Sequence, residues 1–207
     1  MKILFLSDTH GKHFMLKGMP DADIIICGGD FTMHGLFDEV KDFLDWFSVL
    51  PYKHKIFIAG NHDFYLESHG LYNVHLPSNI HYLVNSGVFI DGVFIYGSPV
   101  TPYFHNWAFN EKRGKQIKLF WDMIPENTNI LITHGPPFGI LDLNSSGYYT
   151  GCYDLGETVR RIKPRYHLFG HIHESYGAYK NAETTFFNGC ILNEKYNLVN
   201  EPILFNY

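Results

Sequence analysis

Apolar residues in this chain gather in short runs, and five of those runs stop abruptly at a polar cluster. Lys2 to His10 ends in Asp8, Thr9 and His10, and Ala22 to Phe31 ends in Gly28, Gly29 and Asp30. Lys55 to Asp63 ends in Asn61, His62 and Asp63, Asn129 to His134 in His134, and Tyr166 to Glu174 in His171, Ile172, His173 and Glu174. A short apolar run bounded by turn residues reads as a buried strand, and parallel strands of a layered sheet present their functional groups at one edge. Between the runs, Leu36 to Leu50 carries Val40, Phe43, Leu44 and Phe47 at helical spacing and is closed by Pro51. Glu111 to Asp122 and Leu155 to Ile162, the latter closed by Pro164, predict two more helices. Asp63 to Ser78 reads as a polar surface loop with His69 and His75 solvated. Val88 to Tyr96 folds around Asp91-Gly92, a strong hairpin signal, and marks a change from parallel to antiparallel pairing; Tyr176 to Phe205 holds further short strands. The expected fold is α/β, a four-layer sandwich of two packed mixed β-sheets flanked by helices. No repeat or linker divides it, so residues 1–207 read as one domain.

Composition narrows the function. The 207 residues are 45% hydrophobic and carry a formal charge of -5 with no basic run, which argues against a grip on long nucleic acid. Cys27, Cys152 and Cys190 are scattered and odd in number, as expected of reduced thiols. The apolar stretch before Asp8 is too short for a signal peptide, and no run approaches the roughly 20 apolar residues of a membrane span. The expected location is therefore the cytoplasm, with no membrane partner.

The strand-end residues carry the chemistry. Asp8, His10, Asp30, Asn61, His134, His171 and His173 offer oxygen and imidazole donors without a thiolate, a set suited to manganese, iron or zinc rather than calcium. These are too many for one tetrahedral ion and about right for two. Asp30 has two carboxylate oxygens with which to bridge metals roughly 3.5 to 4 Å apart.

AspXHis at 8–10, GlyAsp at 29–30, GlyAsnHisAsp at 60–63, HisGlyProPro at 134–137 and GlyHisIleHis at 170–173 resemble the calcineurin-like metallophosphoesterases in order and spacing. Stretches 29–32, 56–63, 96–104 and 169–177 look most like the small metallophosphoesterase domain-containing group, whose substrates include phosphodiesters and cyclic nucleotides. The resemblance implies Asp8, His10, Asp30 and His173 around one divalent ion, manganese first among candidates, and Asp30, Asn61, His134 and His171 around a second. It places His62 beside the phosphate as the catalytic residue, with Asp63 either orienting its imidazole or capping a helix.

The implied activity is hydrolysis of a small phosphodiester or nucleotide, with phosphomonoester hydrolysis or a non-catalytic nucleotide-binding scaffold as alternatives. Protein phosphatases of the superfamily resemble GlyAspXXAspArgGly after the bridging aspartate, where arginine grips a terminal phosphate. Here Phe31 to Gly35 supplies no arginine, which favours a diester; Arg113 is the available substitute. Asn61, His62, Ser146, His173 and Glu174 are the expected substrate contacts. The aromatic stretch Thr101 to Asn110 suits either a stacked base or a buried loop anchor. His13, His34, His54, His81, His105 and His167 follow no strand-end pattern and read as surface or core residues.

Overall fold

Strand ends set level with one another are the feature of the fold that builds the site. The computed structural model describes residues 1–72 and 74–207. In chain order the elements are β1 (Lys2–Leu6), β2 (Ile24–Cys27), α1 (Phe37–Val49), β3 (His54–Phe57), α2 (Phe64–His69), β4 (Ile80–Tyr82), β5 (Ser86–Ile90) and β6 (Val93–Ser98). There follow β7 (Thr101–Pro102), β8 (Asn110–Glu111), α3 (Lys115–Trp121), β9 (Ile130–Thr133), α4 (Tyr153–Ile162), β10 (Tyr166–Phe169), β11 (Gly177–Lys180), β12 (Thr185–Asn188) and β13 (Ile203–Asn206).

Two mixed sheets form the centre. One has the order β13-β1-β2-β3-β4, parallel except for β13; the other is β11-β12-β10-β9-β6-β5, with β6, β9, β10 and β12 parallel and an antiparallel strand at each edge. The hairpin at Asp91-Gly92 forms, with φ of 48° and 82° at its two tip residues, but it adds one antiparallel edge strand to a largely parallel sheet.

The continuous apolar runs are explained by burial on both faces. Alternate residues of β1 point opposite ways: Ile3 and Phe5 enter a core between the sheets with Ile130, Ile132 and Leu168, while Leu4 and Leu6 enter a core with Val40, Phe43 and Phe47 of α1. On the far side, Ile117 and Trp121 of α3 and Leu155, Val159 and Ile162 of α4 cover Leu131 and Phe169. The result is helix, sheet, sheet, helix, as the hydrophobic pattern predicts. The stretch from Asp63 to Ser78 differs from its expected form, because Phe64–His69 is a helix anchored by the single buried Leu66; Asn73 of that stretch lies outside the described residues. His69 and His75 are exposed as expected. Among the described residues no helix is long and apolar enough to cross a membrane.

Candidate active site

Register brings the chemistry together. Leu6, Cys27 and Phe57 are level across β1, β2 and β3, so Asp8, Asp30 and Asn61 emerge at one edge; β9 and β10 deliver His134, His171 and His173 from the other sheet. The loops are tied by Asp8 N–H to Gly29 O (3.0 Å), His10 N–H to Asp30 O (3.0 Å) and Gly170 N–H to His134 O (2.9 Å). Asp8, His10, Asp30 and His171 all hold left-handed φ, at 58°, 41°, 50° and 70°. Such backbone costs about 1–3 kcal/mol per residue and concentrates at functional sites. Room is made by Gly60 and Gly170, where a Cβ would lie 2.2 Å from Asp30 Oδ1 and 1.9 Å from Asp8 Oδ2.

Four imidazoles are oriented in one manner. The Nδ1 atoms of His10, His62, His134 and His173 pair with the carbonyls of Thr32 (3.1 Å), Met33 (2.9 Å), Gly28 (2.9 Å) and Asn193 (2.9 Å). A carbonyl only accepts, so each Nδ1 carries the proton and each Nε2 faces inward, the arrangement that metal-ligating histidines use. His134 Nε2 lies 3.3 Å and His10 Nε2 3.8 Å from the same Asp30 Oδ2, and His173 Nε2 lies 3.4 Å from Asp8 Oδ1. His134 Nε2 also lies 2.9 Å from Asn61 Oδ1. Ligand atoms of His10, Asp30 and His62 lie within 4.8 Å of one another, as do those of Asp30, His134 and His171, so Asp30 is common to both groups.

The electrostatics follow from this packing. Burial is the largest single influence on Asp8 and Asp30 and opposes their ionisation, but the hydrogen bonds and charges of the surrounding imidazoles, His173, His134 and His10 on Asp8 and His134 and His10 foremost on Asp30, together outweigh it and hold both well below the usual carboxylate range. Burial pulls His134 and His173 down, yet the charge and hydrogen bond of Asp30 with the charge of Asp8 together raise His134 to about 10, and the hydrogen bond and charge of Asp8 with the Asn193 carbonyl and the Asp30 charge together raise His173 to about 9. Burial wins at His10 and His171, both lowered to about 4. His10 Nε2 is buried with no protein partner, an orphan that a positive ion would satisfy. Oxygen and imidazole donors, inward Nε2 atoms and this orphan together fit divalent metal ions.

Residues 1–175 match the calcineurin-like phosphoesterase family. The chain belongs to that family. Metallophosphoesterase domain-containing protein 1 of Homo sapiens is 42% identical over 98% of this chain and 70% of its own length. A Caenorhabditis elegans UPF0046 protein, C25E10.12, is 36% identical over 100% of the chain and 80% of its length. The solved structure of Phosphopantetheinyl Hydrolase (PptH) from Mycobacterium tuberculosis shares the fold at TM-score 0.59 and 12% identity, covering 90% of this chain and 88% of that one. Membership makes this protein a metal-dependent phosphoesterase, and its candidate ligands sit where the metallophosphoesterase motifs end their strands.

The pocket of this calcineurin-like phosphoesterase, about 230 Å³, is lined by His10, Asp30, Asn61, His62, His171 and His173, with Phe104, Trp107, Glu174, Glu194 and Tyr196 around them. Of the aromatic stretch, Trp107 packs on His62 with ring centres 4.3 Å apart. Ser146 is exposed and outside this lining; the loop instead meets the site through Ser145 N–H, which donates to Glu174 Oε1 at 2.9 Å. Arg113 lies outside this lining, and its guanidinium donates to the carbonyls of Gly151 (2.8 Å) and Thr150 (2.9 Å).

Asp63 neither orients His62 nor caps α2 with its side chain. Its carboxylate accepts from Asp30 N–H (3.0 Å), Thr32 N–H (3.0 Å), Thr32 Oγ1 (2.7 Å) and Gly60 N–H (2.7 Å), joining two ligand loops. Burial, then the nearby Asp30 charge, raises it to about 7 against those hydrogen bonds. Sequence reasoning missed the carboxy-terminal contribution. Cys190 Sγ donates to Asp8 Oδ2 at 3.2 Å, and Asn193 supplies the carbonyl behind His173. No local pattern marks either residue.

Proposed function

We propose that the chain is a phosphodiesterase for small phosphodiesters or cyclic nucleotides, using two divalent ions, manganese preferred. The observation that carries this is the sharing of Asp30 between two imidazole groups, one with His10 and His62 and one with His134 and His171. Asp8, His10, Asp30 and His173 would hold one ion and Asp30, Asn61, His134 and His171 the other. Bound there, the ions supply Lewis acidity toward phosphoryl oxygens and a water made acidic enough to ionise near neutral pH. The backbone N–H of His62 donates to Asp30 Oδ1 (2.8 Å) and its Nδ1–H to Met33 O (2.9 Å), so it is the imidazolium form of the ring that would give its Nε2 proton to the leaving oxygen, becoming the neutral Nδ1–H tautomer. Trp107 packs against that ring, with centres 4.3 Å apart.

Preference for a diester rests on the lining, where two glutamates and no lysine or arginine surround the ligand residues. A monoester dianion brings a second charge that such a wall does not neutralise. A small pocket acting on a small molecule in the cytoplasm, the location we propose, is consistent with the formal net charge of -5. The test is hydrolysis of bis-nitrophenyl phosphate against mononitrophenyl phosphate by the manganese-loaded protein. We expect kcat/KM at least about tenfold higher on the diester, the margin of about 1.4 kcal/mol in barrier; a higher value on the monoester would reverse the assignment.

A further inference from the structure

The segment from Tyr176 onward lies beyond the residues that match the family, yet it closes one side of the site. Its loop at 193–197 is built around Asn193, whose Oδ1 accepts from Lys195 N–H (3.0 Å) and Asn197 N–H (2.9 Å). The Asn193 carbonyl accepts from both Tyr196 N–H (2.8 Å) and His173 Nδ1 (2.9 Å), so the turn is fastened directly to a candidate ligand. Lys12 donates to the Tyr196 carbonyl and ties the loop to the segment following His10.

This turn holds Tyr196 at φ 58°, a left-handed backbone that is a true outlier for a bulky residue. The tyrosine ring stands edge-on to His10 with centres 4.9 Å apart and 5.4 Å from His173. His62 also meets His10 edge-on, at 4.6 Å, so His62 and Tyr196 both overlook the same ligand ring. Among the lining side chains Tyr196 supplies the one hydroxyl, and none supplies a lysine or arginine. A phosphate anion in this pocket therefore has few neutral donors to choose from, and a phenol is protonated across neutral pH.

We propose that Tyr196 is a substrate-contacting residue whose hydroxyl donates a hydrogen bond to a phosphoryl oxygen, its ring held over His10 by the strained turn. This rests on the phosphoesterase reading of the same pocket. The turn spends backbone strain to place the ring, and the ring carries the donor into the site.

The test compares Tyr196→Phe with the parent protein in three measurements. These are manganese content with thermal midpoint, the affinity of the manganese-loaded protein for dimethyl phosphate by calorimetry, and kcat and KM on bis-nitrophenyl phosphate. Phenylalanine keeps the ring packing and removes only the hydroxyl. A hydrogen bond to a charged group predicts a loss of about ten- to hundredfold in kcat/KM and weaker dimethyl phosphate binding, with metal content and thermal midpoint unchanged. Values of kcat/KM and affinity within about twofold of the parent would overturn the proposal. So would loss of metal or of thermal stability in the phenylalanine variant, since the hydroxyl would then serve the fold. If the parent binds dimethyl phosphate but hydrolyses no ester, the phosphoesterase reading fails while the binding arm still decides on Tyr196.

Discussion

His62 and Asp63 are neighbours in sequence with separate tasks, and the hydrogen bonds show why. Asp63 is wholly buried and collects donors from Asp30, Thr32 and Gly60, so it fixes the backbone that carries Asp30 and Asn61. His62 is only partly buried and turns its ring into the pocket against Trp107. Truncation of His62 should therefore remove chemistry without removing ligands. For His62→Ala we expect turnover to fall by about 10² to 10⁴, the usual worth of a placed proton donor, with two manganese ions still bound. Metal analysis beside steady-state rates checks this, and loss of an ion would move His62 into the ligand set.

At the scale of elements, the site depends on strand ends that pass within contact of one another. Gly170 follows β10 and faces Asp8 beyond β1 across the gap between the two sheets; a Cβ there would meet Asp8 Oδ2 at 1.9 Å and Ser7 Oγ at 2.3 Å. Both are buried, so the conflict cannot be relieved by swinging into solvent. Gly170→Ala should lower manganese affinity by at least about tenfold, as displaced ligand geometry does, and calorimetric titration reads that loss directly. The same view explains what was legible in sequence. Apolar runs ending in glycine, carboxylate and histidine are local signals, and they predict the parallel strands, the three longer helices and the seven converging donors. Cys190 to Asp8 and Asn193 to His173 are contacts made only after folding, through a buried thiol and a backbone carbonyl that no local pattern marks. The short helix Phe64–His69 escaped for a related reason, since one buried side chain is too few to show a helical period. The donor-rich loop at 144–149 points to Ser146 as a contact, whereas it is the neighbouring Ser145 that meets Glu174.

At the scale of the whole molecule, burial of histidine couples folding to pH away from the ligands as well as among them. His167 on β10 is fully buried beside Phe169 and Phe186, and its Nε2 lies 2.8 Å from Thr133 Oγ1. Thr133 donates its own proton to Gly135 O at 2.7 Å, so His167 Nε2–H must be the donor to Thr133, while its Nδ1 is buried without a partner, an environment that disfavours a second proton on the ring. Burial lowers its pKa from 6.5 to about 3. The unfolded chain therefore binds a proton at His167 below pH 6.5 that the folded chain refuses until about pH 3. With more protons bound in the unfolded state, stability rises with pH across that window and is fully present above it. The slope from this one residue is about 1.4 kcal/mol per pH unit. His167→Gln keeps an N–H donor near Thr133 and removes the titration. Urea unfolding of the metal-free protein between pH 6 and pH 4.5 should show the variant losing stability less steeply on acidification, by about one proton's worth. The carboxylate and imidazole ligands titrate in both proteins and cancel in the comparison, so equal slopes would mean that the folded protein accepts the proton at His167.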